Sequence, residues 1–132
     1  MVLVDTNVLV DVLQNDPQWA EWSIAQLRAQ AKLHDLAINP VIYAEISLSF
    51  STLEALDGVV QTMGLKLREI PRPALFLAAK AFVQYRRRGG SKSQVLPDFF
   101  IGAHAAVEGW PLLTRDASRF RTDFPRLDVI AP

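Results

Sequence analysis

Val2-Leu3-Val4-Asp5-Thr6-Asn7-Val8-Leu9 is the stretch whose reading decides the fold of this chain. Three apolar residues reach a carboxylate, the chain stays polar through Asn7, and a second apolar run continues to Leu13. Consecutive β-favouring residues that stop at a polar break are the pattern of a short strand buried on both faces; the run after it reads as a helical stretch. A carboxylate at the junction of two core-like runs is desolvated unless something compensates, and buried charges survive by pairing or by binding metal.

The same grammar repeats outward. Asp16-Pro17 is a cap-plus-proline start for a helix carrying Trp19, Trp22, Ile24 and Leu27. Leu36 to Ile38 reads as a second buried strand, and Asn39-Pro40 starts a helix with Val41, Ala44, Glu45 and Leu48. Ser51-Thr52-Leu53-Glu54 has the form of a capping box, and Gly64 is placed to stop that helix. Leu65 to Ile70 alternates apolar and charged residues, as a strand with a wet face or at an edge does. Pro73 to Tyr85 is a long apolar helix ending in the basic, glycine-containing run Arg86 to Ser93. Pro97 restarts a helix over Asp98 to Glu108 with Gly109 as its stop. Leu112 to Thr114 and Asp128 to Ala131 supply a fourth and a fifth strand. Strands alternating with helices imply parallel pairing, so residues 1–132 are expected to form one three-layer α/β domain.

Composition bounds the function. The chain has 132 residues, 50% of them hydrophobic, enough for one well-formed core. Fourteen basic residues balance fourteen acidic ones, so affinity for a polyanion has to come from local clustering rather than net charge. Cysteine is absent, which removes disulfides, thiolate nucleophiles and Cys-ligated zinc. With neither a signal-peptide pattern nor an apolar run of membrane-spanning length, we expect a soluble, cytoplasmic protein with no membrane partner.

In an open parallel sheet, ligands collect beyond the carboxyl ends of the strands where the strand order reverses. With the order 3-2-1-4-5, Asp5 and Asp116 end neighbouring strands and share one crevice. Glu45, a turn and a half into the helix after the second strand, and Asp98, in the first turn of the helix before the fourth, can be aimed at it. Each acid also has a plainer reading. Asp98 suits a helix N-terminus, Asp116 can cap a short helix around Ala117 to Phe120, and Glu45 can be a solvated helix residue. If the four converge, like charges about 4 Å apart at an effective dielectric near 20 repel by about 4 kcal/mol per pair, so the cluster needs protons or cations. Arg115 adjoins Asp116 and can offset part of that charge. Oxygen ligands without His or Cys suit Mg2+ or Mn2+, and two such ions allow phosphodiester hydrolysis without a protein nucleophile. Asn7 and Thr114 are placed to orient a carboxylate or a phosphate oxygen, or else serve the turns they sit in. Arg86, Arg87, Arg88 and Lys92 can hold a phosphate backbone upstream of Asp98, though basic residues also suit a helix C-terminus. His34 and His104 follow no metal-ligand spacing and are expected to be structural or on the surface. Asp11 reads as an accessory acid or a solvated position on the first helix.

Four stretches, Val4-Asp5-Thr6-Asn7-Val8-Leu9, Asn39 to Glu45, Leu96 to Ala105 and Leu113-Thr114-Arg115-Asp116, together resemble the PIN-domain nucleases, and within them the VapC toxins of bacterial toxin–antitoxin pairs. The similarity runs in order over essentially the whole chain. It implies a five-stranded, mainly parallel α/β/α fold in the order 3-2-1-4-5. It also implies a metal-dependent endoribonuclease with Asp5, Glu45, Asp98 and Asp116 as an acidic quartet that holds Mg2+ or Mn2+, with two ions per site. Asn7 and Thr114 join the catalytic set as neighbouring polar contacts. The resemblance further implies a homodimer, a VapB-like antitoxin that covers the groove, and structured RNA such as transfer or ribosomal RNA as the target. Two rivals fit less well. A receiver domain needs an Asp after the third strand and a Lys after the fifth, and neither is present. A non-catalytic RNA-binding module accounts for the basic run but not for four acids in one crevice.

Overall fold

A computed structural model describes residues 1–91 and 95–132 of the chain. β1 (Val2–Val4) and β2 (Leu36–Ile38) have every residue buried. Successive strand side chains point to opposite faces, so both faces of the sheet are covered at its centre. Five strands pair in the order β3-β2-β1-β4-β5, with β3 at Leu65–Leu67, β4 at Leu112–Leu113 and β5 at Val129–Ile130. Every pairing is parallel, with Leu3 opposite Ala37 on one side and Leu112 on the other. The expected strand order and α/β architecture are therefore those observed. β3 is shorter than the Leu65 to Ile70 expected. It is an edge strand in which Leu65 alone is buried, and because β2 ends at Ile38, the bond from the Arg68 N–H to the Ile38 carbonyl closes the pairing.

Local signals explain the helices. α1 (Thr6–Leu13) follows β1 directly, and α2 (Ala20–Leu33) starts after Asp16, whose Oδ1 accepts from the backbone N–H groups of Gln18 and Trp19 at 2.9 Å. α3 (Pro40–Ser47) is capped by Asn39, whose side chain accepts from the Ile42 N–H at 3.0 Å. The cap of α4 (Leu53–Thr62) is Thr52, accepting from the Ala55 N–H, rather than Ser51; with Ala55 in the third helical position the reciprocal bond of the expected capping box is not made. Gly64 and Gly109 end helices in left-handed conformation, with φ of 68° and 70°, which glycine adopts without a Cβ penalty. α5 (Arg72–Arg87) runs past Tyr85 into the basic stretch, because arginine is a good helix former and suits the negative end of the dipole. α6 (Leu96–Glu108) and α7 (Ser118–Asp123) flank β4 in sequence.

Packing brings α7 beside α6. A Cβ on Gly102 of α6 would lie 2.5 Å from the Phe124 ring, so only glycine lets that ring seat where it does. Phe99 is fully buried, in ring contact with Phe82, Tyr85 and Phe124, and ties α5 to α6. Phe99 is thus core, and the neighbouring Phe100 is half-buried against that core. No helix among the described residues is long and apolar enough to cross a membrane.

Candidate active site

β1 and β4 are neighbours at the centre of the sheet, while the chain passes from β1 to β2 on the opposite side. The crevice beyond their carboxyl ends is the reversal point at which such sheets bind ligands. Asp5 sits there at the N-cap position of α1, but its side chain makes no capping hydrogen bond. The Thr114 hydroxyl donates to Asp5 Oδ2 at 2.8 Å instead. Thr114 is fully buried and receives the Asn7 amide at 3.3 Å, while Asn7 Oδ1 accepts from the Arg115 N–H at 3.2 Å. Asn7 and Thr114 thus tie the end of β1 to the segment after β4 and fix one oxygen of Asp5.

The other acids arrive from three further elements. Glu45 on α3 is half-buried, and Oε1 accepts from the Thr6 hydroxyl at 2.6 Å. Asp98 lies in the first turn of α6, with Oδ2 3.5 Å from Arg119 Nε. Asp116 is exposed, and its Oδ1 accepts from the Ser118 hydroxyl at 3.0 Å. Asp5 is repelled by Asp98 and Glu45, and Asp98 by Glu45 and Asp116. Burial, with added repulsion from Asp98 and Glu45, outweighs the Thr114 hydrogen bond and pushes the Asp5 carboxyl up to about 7. Burial also raises Asp98, to about 6; Arg119 opposes the rise, while Glu45 and Asp116 add to it.

The donor set fits a hard divalent cation. Asp5 is only 4% exposed, its described hydrogen-bond partners are neutral, and two carboxylates repel its charge. Among the described residues, no three His, Asp or Glu side chains are already gathered into a cage for an ion. Mg2+ suits such a set, since it keeps several waters and is held by one or two carboxylates together with substrate phosphates.

Three features escape sequence reasoning. Arg115 does not neutralise Asp116: its Nε pairs with Asp11 Oδ2 at 2.9 Å, and the Ser23 hydroxyl donates to the same oxygen at 2.9 Å. Asp11 is therefore a buried ion-pair partner and not a solvated helix position. Among the described residues, the cation that pairs with one of the four acids is Arg119, which meets Asp98 and whose guanidinium carbon lies 5.1 and 5.9 Å from the centres of the Tyr85 and Phe99 rings. Thr6 is the third, and its signal was available, since it lies between two residues already singled out.

Among the basic candidates, Arg86, Arg87 and Arg88 are exposed at the end of α5, and Lys92 lies outside the described residues. His34 is exposed and His104 is buried, neither near a ligand set, as expected. His104 Nδ1 is 3.1 Å from the Asn39 amide nitrogen. Asn39 uses its oxygen as the α3 cap, so the amide donates and the imidazole is neutral with its proton on Nε2, in line with the burial that lowers its pKa.

The PIN domain family matches residues 2–125. No curated protein sequence matches the chain. Among solved structures, it is similar to VapBC2 from Rickettsia felis bound to a DNA fragment from their promoter, at 19% identity and a TM-score of 0.76, covering 100% of this chain and 99% of the other. It is similar to VapBC-1 from nontypeable Haemophilus influenzae at 16% identity and a TM-score of 0.74, covering 99% and 98%. DNA-bound VapBC from Salmonella typhimurium aligns at 18% identity and a TM-score of 0.71, covering 98% and 96%. At these identities the structures establish a shared fold, and the family match runs over nearly the whole sequence: the chain belongs to the PIN-domain family.

Proposed function

We propose that this chain is a divalent-metal-dependent endoribonuclease and the toxin of a type II toxin–antitoxin pair, with residues 1–132 forming a single nuclease domain. What supports this reading is a linked set of repelling carboxylates, Asp5 with Asp98 and Glu45, and Asp98 with Glu45 and Asp116, in which the buried Asp5 is raised to about 7 by desolvation and by its acidic neighbours. PIN domains are in general nucleases of this kind, and the similar solved structures are VapBC assemblies.

In this reading Asp5, Glu45, Asp98 and Asp116 hold Mg2+ or Mn2+. When bound, such ions supply Lewis-acid polarisation of the phosphodiester and the acidity that yields a nucleophile from water at neutral pH. The chain's own residues position these groups. Thr114 engages one oxygen of Asp5, and Thr6 engages one oxygen of Glu45, so the remaining oxygens are presented with their planes set. Asn7 holds the Thr114 hydroxyl in place from the other side of the β1–β4 seam. Arg86 to Arg88 and Lys92 offer charge to the RNA backbone. A VapB-like antitoxin is the partner that restrains the activity, a homodimer is the working form, and the cytoplasm, where structured transfer or ribosomal RNA is found, is the compartment.

The purified chain is expected to cut RNA with Mg2+ or Mn2+ and to stop on addition of EDTA. Asp5→Asn and Asp98→Asn are expected to abolish cleavage while circular dichroism shows the fold retained. Cleavage that survives both substitutions would remove the metal mechanism.

A further inference from the structure

Next to the acids lies a cavity of about 220 Å³ between the end of α5 and α7, lined by Tyr85, Arg88, Ser118, Arg119, Thr122 and Asp123. We propose that it is a phosphate-binding subsite, holding a backbone phosphate of the RNA adjacent to the one hydrolysed. This rests on the ribonuclease reading and gives it a second anchor for the strand.

Two linings of the cavity touch the candidate active site directly. Arg119 is the residue whose Nε stands 3.5 Å from Asp98, and Ser118 donates to Asp116 at 3.0 Å. A group bound in the cavity is therefore a near neighbour of whatever the acids hold. The chemistry of the lining selects an anion with several oxygens. A guanidinium carries five donors in a planar fork, and the pairing with Asp98 engages Nε. The Arg119 guanidinium carbon lies 5.1 and 5.9 Å from the centres of the Tyr85 and Phe99 rings, contacts that, with the Asp98 pairing, reduce the ordering left to be done on binding.

Arg88 provides a second guanidinium, whose carbon lies 6.0 Å from the centre of the same Tyr85 ring. Its Nη2 is anchored by Asp123, the one acid in the lining; this carboxylate is almost fully buried and its charge is spent on Arg88. The hydroxyls of Ser118 and Thr122 donate to Asp116 and to the Ser118 carbonyl, so they shape the wall and the guanidinium groups supply the donors. Two guanidinium groups lining one small cavity match a tetrahedral phosphate, which can accept hydrogen bonds from both. Arg86 and Arg87, exposed on the last turn of α5, add positive charge next to Arg88 in the chain.

The test has two arms on the full chain. In the first, inorganic phosphate is titrated while the arginine Nε–Hε resonances are followed by NMR. The Arg119 and Arg88 signals are expected to shift together and saturably, and the shift is expected to vanish in Arg119→Gln. If neither signal moves, the subsite is overturned. In the second, binding of a short oligoribonucleotide is measured against salt concentration for the wild type, Arg119→Gln and Arg88→Gln, each checked by thermal unfolding. Loss of one phosphate contact is expected to weaken binding roughly tenfold and to flatten the log–log salt slope by about 0.7. An unchanged slope in a chain that still cuts RNA would overturn the assignment to a backbone phosphate. Phosphate-dependent shifts in a chain that cuts no RNA would instead count against the nuclease reading and leave the anion site in place.

Discussion

Asp5 and Asp11 lie on one strand-to-helix segment and are both buried, at 4% and 2% exposure, yet their surroundings are opposite in sign. Asp11 has a guanidinium at 2.9 Å and a serine hydroxyl on the same oxygen. Asp5 has a threonine hydroxyl and two repelling carboxylates. Burial alone does not separate a structural acid from one poised for a ligand; the presence of a built-in cation does. Asp11 is satisfied by the protein, and its ion pair pins the Arg115 segment whose backbone N–H reaches Asn7. Asp5 lacks such a partner among the described residues and calls for a cation from outside.

Removing each charge should therefore have opposite consequences. Asp5→Asn is expected to abolish RNA cleavage and, in metal-free protein above pH 7, to raise stability by on the order of 1–3 kcal/mol, because an uncompensated buried charge disappears. Asp11→Asn is expected to destabilise by about 2 kcal/mol, at the lower end for a broken buried pair because Arg115 is partly exposed. Denaturant unfolding of the two variants checks both signs.

The pH profile sharpens the contrast. Asp5 ionises near the usual aspartate value of 3.8 when unfolded and at about 7 when folded. Between those values the folded metal-free chain holds the extra proton. The stability that proton contributes is fully present below about pH 4, falls as pH rises through 7, and is then flat. Asp98, raised to about 6, adds a smaller decline over the lower part of the same window. Asp5→Asn is expected to remove most of this slope and Asp11→Asn to leave it. A smaller effect is expected from Thr114→Val, which keeps the shape but removes the donor to Asp5: Mn2+ affinity should fall about 10- to 100-fold with little change in melting temperature.

The parts of the molecule written in local sequence were legible there. Asn39-Pro40, Gly64 and Gly109 mark helix ends through contacts within a few residues, and the apolar runs before Asp5 and Asn39 mark the two central strands. The positions of Asp5, Asp98 and Asp116 at the ends of predicted elements were legible as well, because each lies beside an apolar run or a proline that marks a boundary. What escaped was pairing across the fold. Arg115 meets Asp11 at a separation of 104 residues, and nothing beside either residue marks the other as its partner. Arg119 faces Asp98 only because α7 packs beside α6, where Gly102 makes room for Phe124. The end of β3 depends on its neighbour, since an alternating pattern does not say where pairing stops.

In the proposed reading, the acids at the β1–β4 crevice share divalent cations because the protein supplies too little positive charge of its own. Calorimetric titration of the metal-free chain with MnCl2 tests it most directly. Saturable binding is expected in the wild type, lost in Asp5→Asn and kept within a few-fold in Asp11→Asn. Binding that is absent in the wild type, or unchanged in Asp5→Asn, would contradict it.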